Sequence, residues 1–223
     1  MRQLAVQRRA VLQFGVQPCA PTTSLAVHNI QRAIPEPMTT PQTDTARHWP
    51  DIARRWAQVG HPLRPASEDI AFANRIIKGW TARNGQAEPL ILGVTPELYK
   101  LQWPASTRVL AVDHTQAMIE HVWPGPQADA LQGDWTRIPL ETGSRNIVLC
   151  DGGMHLLPYP QGQQALVHEL HRILRPGGLC ILRLFTPPAV PESPDHVLAD
   201  LLAGRIANLN LLKLRLGMAL QGN

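Results

Sequence analysis

Glycines and acids follow four short, largely apolar runs in the middle of the chain. The runs are residues 90–92, 109–112, 130–132 and 147–150. The residues that follow them are Gly93, Asp113, Gly133 with Asp134, and Asp151 with Gly152 and Gly153. Short apolar runs are typical of strands buried on both faces of a parallel sheet. Because ligands bind beyond the carboxyl ends of such strands, the sequence predicts one site there, with polar groups suited to a nucleoside cofactor.

The elements that position these residues follow from alternating strand and helix patterns between residues 89 and 187. A helix after Asp151 carries apolar residues on one face and ends before Pro176-Gly177-Gly178. The apolar run 179–185 then predicts a fifth strand. Alternation of this kind indicates βαβ units. The predicted fold class is α/β, with an open parallel sheet of about five strands and helices on both faces.

Helical patterns flank this core on both sides. Residues 46–88 carry apolar residues three, four and seven apart, and Ser67 is a favourable N-cap for the second of two predicted helices. Residues 188–223 predict a C-terminal helical segment that begins near Pro194. The sequence therefore divides into an N-terminal helical cap at 46–88, a core at 89–187 and the C-terminal segment at 188–223.

Residues 1–45 do not show the pattern of a packed core. Prolines and threonines are frequent between residues 18 and 41, which predicts a disordered leader. An organelle transit peptide is a second interpretation, because the first 35 residues contain arginines and no acid. A third is that Met38 is the natural start. Disorder or a mis-assigned start is favoured over targeting.

Composition excludes several classes of protein. The formal net charge is +4, from 21 basic and 17 acidic residues, and no basic stripe with interleaved aromatic residues predicts nucleic-acid binding. No apolar stretch approaches the length of about 20 residues that a membrane span needs. Cys19, Cys150 and Cys180 are too scattered for a disulfide framework or a zinc site, and the histidines lack ligand spacing, so no metal is expected. Free buried thiols predict a cytoplasmic location; the oligomeric state stays open.

The core resembles the class I S-adenosylmethionine-dependent methyltransferases. The resemblance covers residues 89–187, and its best pieces are the segments 109–113, 133–140, 147–153 and 174–178. It implies a Rossmann-like sheet, S-adenosylmethionine as cofactor, and methyl transfer to a small-molecule acceptor. Because the donor is already activated, such a reaction needs alignment more than a catalytic triad or a metal.

The resemblance assigns the ribose hydroxyls to Asp113, since a carboxylate accepts both hydrogen bonds well. The cofactor-binding residues it implies are Gly93, Val94, Thr95, Asp113, His114, Gly133, Asp134, Trp135, Asp151 and Gly152. Among them, Asp134 would accept from the adenine amino group, and Trp135 would stack on the ring. A structural interpretation competes at each position: Asp113 as a helix cap, Asp134 as a strand-end acid and Trp135 as a core residue.

Two further roles concern the methyl group and its surroundings. Thr95 and Pro96 suit a helix start whose free N–H groups bind the methionine carboxylate, although Glu97 would repel an anion if it pointed inward. Asp151 near the positive sulfonium would favour cofactor binding. His155 is the candidate base, because its pKa lies near neutrality, and a surface or packed histidine is the competing interpretation.

Two departures from the family pattern keep other functions open. The first loop retains only one glycine, Gly93, and no strand pattern follows Phe185, where the family closes the sheet with two more strands. Either those strands are absent or the sequence is a truncated product. The alternative functions are a non-catalytic binding protein of this fold and, less favoured, a nicotinamide-dinucleotide oxidoreductase.

Overall fold

Six strands form one sheet in the computed structural model, which describes residues 6–13, 45–186 and 188–221. The strands are β1 (Val6–Gln13), β2 (Pro89–Leu92), β3 (Leu110–Asp113), β4 (Ala130–Gln132), β5 (Arg145–Asp151) and β6 (Leu174–Thr186). The helices are α1 (Thr45–Arg54), α2 (Ser67–Asn84), α3 (Pro96–Tyr99), α4 (Gln116–Val122), α5 (Gln161–Ile173), α6 (Pro194–Leu202) and α7 (Leu209–Gln221). The α/β class predicted from the sequence is confirmed.

The strand order is β1-β6-β5-β2-β3-β4, and strands β2 to β6 run parallel. From β2 the chain moves outward through β3 to β4, then returns to place β5 on the other side of β2 and β6 beyond it. The order therefore reverses between β2 and β5. The crevice beyond the carboxyl ends of these two strands is where open α/β sheets bind ligands.

Both faces of the sheet are covered by helices, which explains why the central strand β2 is buried along its whole length. Ile91 packs on one face with residues of α1, α2 and α4, whereas Leu90 and Leu92 pack on the other face with α5. Side chains alternate between the faces of a strand, so each short strand supplies both cores. The two cores fix the strand ends relative to one another.

The strand β1 pairs antiparallel with β6, from Val6 opposite Thr186 to Gln13 opposite Leu179. The prediction of a disordered leader at 1–45 is therefore wrong for Val6–Gln13. The prolines that suggested disorder begin at Pro18, and 6–13 contains neither proline nor glycine, so nothing prevents pairing. Residues 1–5 and 14–44 lie outside the described residues.

After β6 the described residues 188–221 contain two helices and no strand. Arg215 of α7 is only 1% exposed, and it donates to Glu192 (2.6 Å to Oε1) and to Asp200 of α6 (2.7 Å to Oδ2). This buried ion-pair cluster joins the two helices. Within the described ranges, no helix has both the length and the apolar character needed to cross a bilayer.

Candidate functional site

Gly93 lies at the point where the strand order reverses, directly after β2. Its φ of +91° is a left-handed conformation that favours glycine, and its N–H donates to the Val112 carbonyl at 2.8 Å. A Cβ atom placed on Gly93 would lie 3.9 Å from Asp113 Oδ2 and 3.8 Å from Trp135 Cζ2. The structure therefore brings together three of the residues predicted from the sequence.

Asp113 is a buried carboxylate at the end of β3, 9% exposed. Its Oδ1 accepts the Thr115 N–H at 2.8 Å, so the predicted capping role is present. Its Oδ2 faces Gly93 and the crevice. Burial raises the pKa of Asp113, and the Thr115 N–H and the charge of His114 oppose that rise. One oxygen thus holds the turn while the other faces Gly93.

Asp134 follows β4 on the same edge of the sheet and is exposed. Its Oδ1 accepts from both the N–H and the hydroxyl of Thr136, at 2.8 Å each, and these two bonds lower its pKa. An electrostatic interaction with His114 lowers the pKa of both Asp113 and Asp134. The two carboxylates therefore lie near one histidine on one edge of the sheet, where the sequence predicts them.

Gly133 joins the ends of β3 and β4. Its N–H donates to the Asp113 carbonyl at 3.0 Å. A Cβ atom on Gly133 would lie 2.9 Å from Pro139 Cδ and 3.2 Å from Val112 Cγ1, closer than side chains tolerate. Close packing, with no ligand involved, already explains the glycine at this position.

The indole of Trp135 reaches farther across the edge than the sequence suggests. Its Nε1–H donates to the Val112 carbonyl at 2.8 Å, and the ring contacts the core on the α5 face. A Cβ atom on Gly153 would lie 2.6 Å from Trp135 Cζ3 and 2.7 Å from Cys150 Sγ. The ring therefore spans from β4 to the ends of β2 and β5. The space beside Gly153 is therefore occupied on that side by Trp135.

The first loop is a tight turn into the short helix α3. Val94 and Thr95 are both buried, and Thr95 stands at the predicted N-cap position without a side-chain capping hydrogen bond. Its carbonyl accepts the Leu98 N–H at 3.1 Å. Glu97 is bound by Arg64, whose Nε donates at 2.7 Å. The charge expected to repel a carboxylate at this loop is therefore neutralised.

Asp151 forms a buried ion pair with Arg183 of β6, and their side chains are 4% and 7% exposed. Arg183 also donates to the carbonyls of Pro62 (2.9 Å) and Leu63 (3.1 Å). Burial raises the pKa of Asp151, and the bond from Arg183 opposes the rise. The carboxylate predicted to face the sulfonium thus has a protein partner. Sequence reasoning missed Arg183, although an arginine inside a buried strand requires such a partner.

His155 follows β5 in a single helical turn, after Gly152 with its left-handed φ of +66°. Its Nε2 accepts the Phe185 N–H at 2.9 Å, and burial lowers its pKa. A neutral imidazole that accepts at Nε2 carries its proton on Nδ1, so neither nitrogen is free to accept a substrate proton. The predicted catalytic role is not supported, and the structural interpretation of His155 fits its contacts.

No group of three or more His, Cys, Asp or Glu side chains is arranged to hold a metal ion within residues 6–13, 45–186 and 188–221. Cys150 and Cys180 are free and buried, and burial raises the pKa of each thiol to about 12. Both thiols are therefore protonated and unreactive at neutral pH.

Known proteins that are similar to this chain match it over the same α/β core. Residues 92–182 match the profile of a family described as a methyltransferase domain. A search of curated proteins found no match. Similar solved structures include CalS10, an amino pentose methyltransferase from Micromonospora echinaspora (19% identity, 61% of this chain and 63% of that chain, TM-score 0.44). They also include the sugar N-methyltransferase KedS8 from a Streptoalloteichus species (14% identity, 80% of this chain and 64% of that chain, TM-score 0.48).

A methyltransferase from Aquifex aeolicus is a third similar structure (17% identity, 74% of this chain and 86% of that chain, TM-score 0.44). This chain spans less than two thirds of the length of CalS10 and of KedS8. The domain match runs from Leu92, the last residue of β2, partway through β6, and this segment contains Asp113 and Asp134. Residues 92–182 of this chain therefore carry a methyltransferase domain.

Proposed function

We propose that this chain transfers the methyl group of S-adenosylmethionine to a small-molecule acceptor. The observation that carries the proposal is the buried Asp113, whose Oδ2 faces Gly93 where the strand order reverses. A buried carboxylate is costly unless it gains hydrogen bonds, and a ribose supplies two donors. The match to the methyltransferase domain family supports the same cofactor.

The proposal gives each carboxylate at this edge a role toward the cofactor. Asp113 binds the ribose, and Asp134, whose Oδ1 accepts from Thr136, binds the adenine amino group. Gly93 offers a backbone surface without a side chain, so the cofactor can approach β2 closely. The paired Glu97 and Arg64 remove a charge that would oppose the methionine carboxylate.

Bound cofactor supplies an activated methyl group, whose bond to sulfur breaks as the acceptor atom forms its new bond. The chain's contribution is to hold donor and acceptor in line and to exclude water, which is enough for a large acceleration. Nε2 of His155 already accepts the Phe185 N–H, and Asp151 is paired with Arg183. Neither candidate proton acceptor is available, so we favour acceptor atoms that are nucleophilic without a base, such as neutral amines or thiolates.

Binding and turnover test the two parts of the proposal separately. Isothermal titration of the purified chain with S-adenosylmethionine should give saturable binding with one site. Incubation with the cofactor and a panel of amines and thiols should then release S-adenosylhomocysteine, detected by mass spectrometry. A folded chain that does not bind the cofactor overturns the proposal. Binding without product from any panel member or from cell-extract metabolites favours the non-catalytic alternative.

A further inference from the structure

Trp135 lies where the two halves of the proposed cofactor meet. Its ring atom Cζ2 and Asp113 Oδ2 both lie within 4 Å of the Cβ position of Gly93, at 3.8 and 3.9 Å. A ribose bound to Asp113 therefore lies within a few ångströms of the indole. The sulfonium is attached to that ribose through a single methylene. With the adenine directed toward Asp134, the methionine half extends the other way, over the ends of β2 and β5 that the ring spans.

The ring is fixed in this position by contacts that do not depend on a ligand. Its N–H donates to the Val112 carbonyl at 2.8 Å. The ring also packs so closely on Gly153 that a Cβ atom there would lie 2.6 Å from Cζ3. The ring is half-buried, packed on the α5-face core and accessible in part. An indole face within about 6 Å of a cation attracts it, and the attraction grows as water is excluded.

We infer that Trp135 recognises the positive sulfonium and so distinguishes S-adenosylmethionine from the uncharged thioether product, S-adenosylhomocysteine. This inference rests on the proposed function and changes the role that the sequence suggested for Trp135, from adenine stacking to charge recognition. The two ligands share adenine, ribose and the amino-acid group, so a stacking role affects both affinities equally. A cation–π role affects the charged ligand more.

The experiment measures the ratio of the two dissociation constants by isothermal titration. In Trp135→Leu, which removes the π face, the preference for S-adenosylmethionine over S-adenosylhomocysteine should fall by about threefold or more. Trp135→Phe should retain most of the preference. The matched control is Trp103→Leu, because Trp103 packs on the opposite face, where its Nε1–H donates to the Leu98 carbonyl.

A second measurement avoids any loss of folding in Trp135→Leu. Fluorinated tryptophan, incorporated at all six tryptophans, weakens the negative ring face while keeping its shape. The ligand preference should then fall in the wild-type chain and stay unchanged in Trp135→Phe. An equal loss of both affinities, or an unchanged ratio in the fluorinated wild type, overturns the inference alone. A wild-type chain that binds neither ligand contradicts the proposed function as well.

Discussion

Asp113 meets two opposing demands at the end of β3. Binding a ribose requires a carboxylate with a free oxygen, whereas folding disfavours a charge in a buried position, as the raised pKa of Asp113 shows. The raised pKa means that the folded state retains its proton at a pH where the unfolded chain has lost it. The free energy of unfolding therefore falls as pH rises from the ordinary pKa of an aspartate to the raised pKa of Asp113. Under the proposed function, this residue serves ribose binding at a cost to stability.

The substitution Asp113→Asn separates these demands. Cofactor affinity should fall by about 1–3 kcal/mol, because a charged acceptor of two hydrogen bonds is lost. The melting temperature at pH 7 to 8 should stay the same or rise, because the buried charge is gone. Titration calorimetry and thermal unfolding measure the two effects, with the exposed Asp195→Asn as control. A loss of stability with unchanged affinity would assign Asp113 to the turn alone.

Gly153 tests the contact that fixes Trp135. Gly153→Ala places a methyl group 2.6 Å from the indole and 2.7 Å from Cys150 Sγ, so the free energy of unfolding should fall by about 1–3 kcal/mol. Trp135→Leu in the same chain should restore part of that loss, since it removes the larger neighbour. Chemical denaturation of the four chains gives the coupling energy. Gly60→Ala is the control, because no atom lies within 4 Å of its Cβ position; an equal effect at both glycines would contradict the packing argument.

The positions of Asp113 and Asp134 can be predicted from the sequence, whereas the partners of Asp151 and His155 cannot. Asp113 and Asp134 follow runs whose burial is evident from composition, and the edge they share follows from parallel strands. The partners of Asp151 and His155 are Arg183 and the Phe185 N–H, which the fold brings from about one βα unit away. No local pattern specifies which strand-end acid gains a partner inside the protein. The sequence therefore predicts which residues share this edge, but it cannot divide them between binding and structural roles.

At the scale of elements, the Asp151–Arg183 pair connects three parts of the fold. Asp151 ends β5, Arg183 lies in β6, and the guanidinium donates to two carbonyls in the loop between α1 and α2. The N-terminal helices are thereby attached to the strand ends that form the crevice. A buried pair of this kind contributes little over apolar residues, but breaking it leaves an uncompensated charge.

We expect Arg183→Leu to lower the free energy of unfolding by about 3–5 kcal/mol, since Asp151 then remains buried and unpaired. The double variant Arg183→Leu, Asp151→Leu should recover much of that loss. Urea denaturation measures each free energy. The control is Arg175→Leu, whose partner Glu88 and own side chain are partly exposed, and it should cost about 0–1 kcal/mol. Equal losses of stability in Arg183→Leu and Arg175→Leu would mean that burial does not determine the cost of breaking an ion pair here.

At the scale of the whole molecule, β1 completes the sheet from the opposite end of the sequence. The family closes its sheet with strands that follow β6, whereas here the edge of β6 pairs with Val6–Gln13. The composition of 1–45 suggested disorder because most of the segment is rich in proline and threonine, although Val6–Gln13 contains neither. The two paired strands are separated by more than 160 residues in the sequence. No local pattern in an eight-residue strand specifies such a distant pairing, so only the folded structure identifies β6 as the partner of β1.

Removing β1 therefore tests how the molecule protects its sheet edge. Deletion of residues 1–14 should lower the melting temperature and promote association between chains, because the unpaired N–H and C=O groups of β6 become available to a second copy. Replacing residues 6–13 with an unrelated strand-forming octapeptide should restore both properties, since the pairing is made by the main chain. Thermal unfolding and light scattering after size exclusion measure the two effects. If the deletion changes neither the association state nor the melting temperature, β1 does not protect the edge of β6.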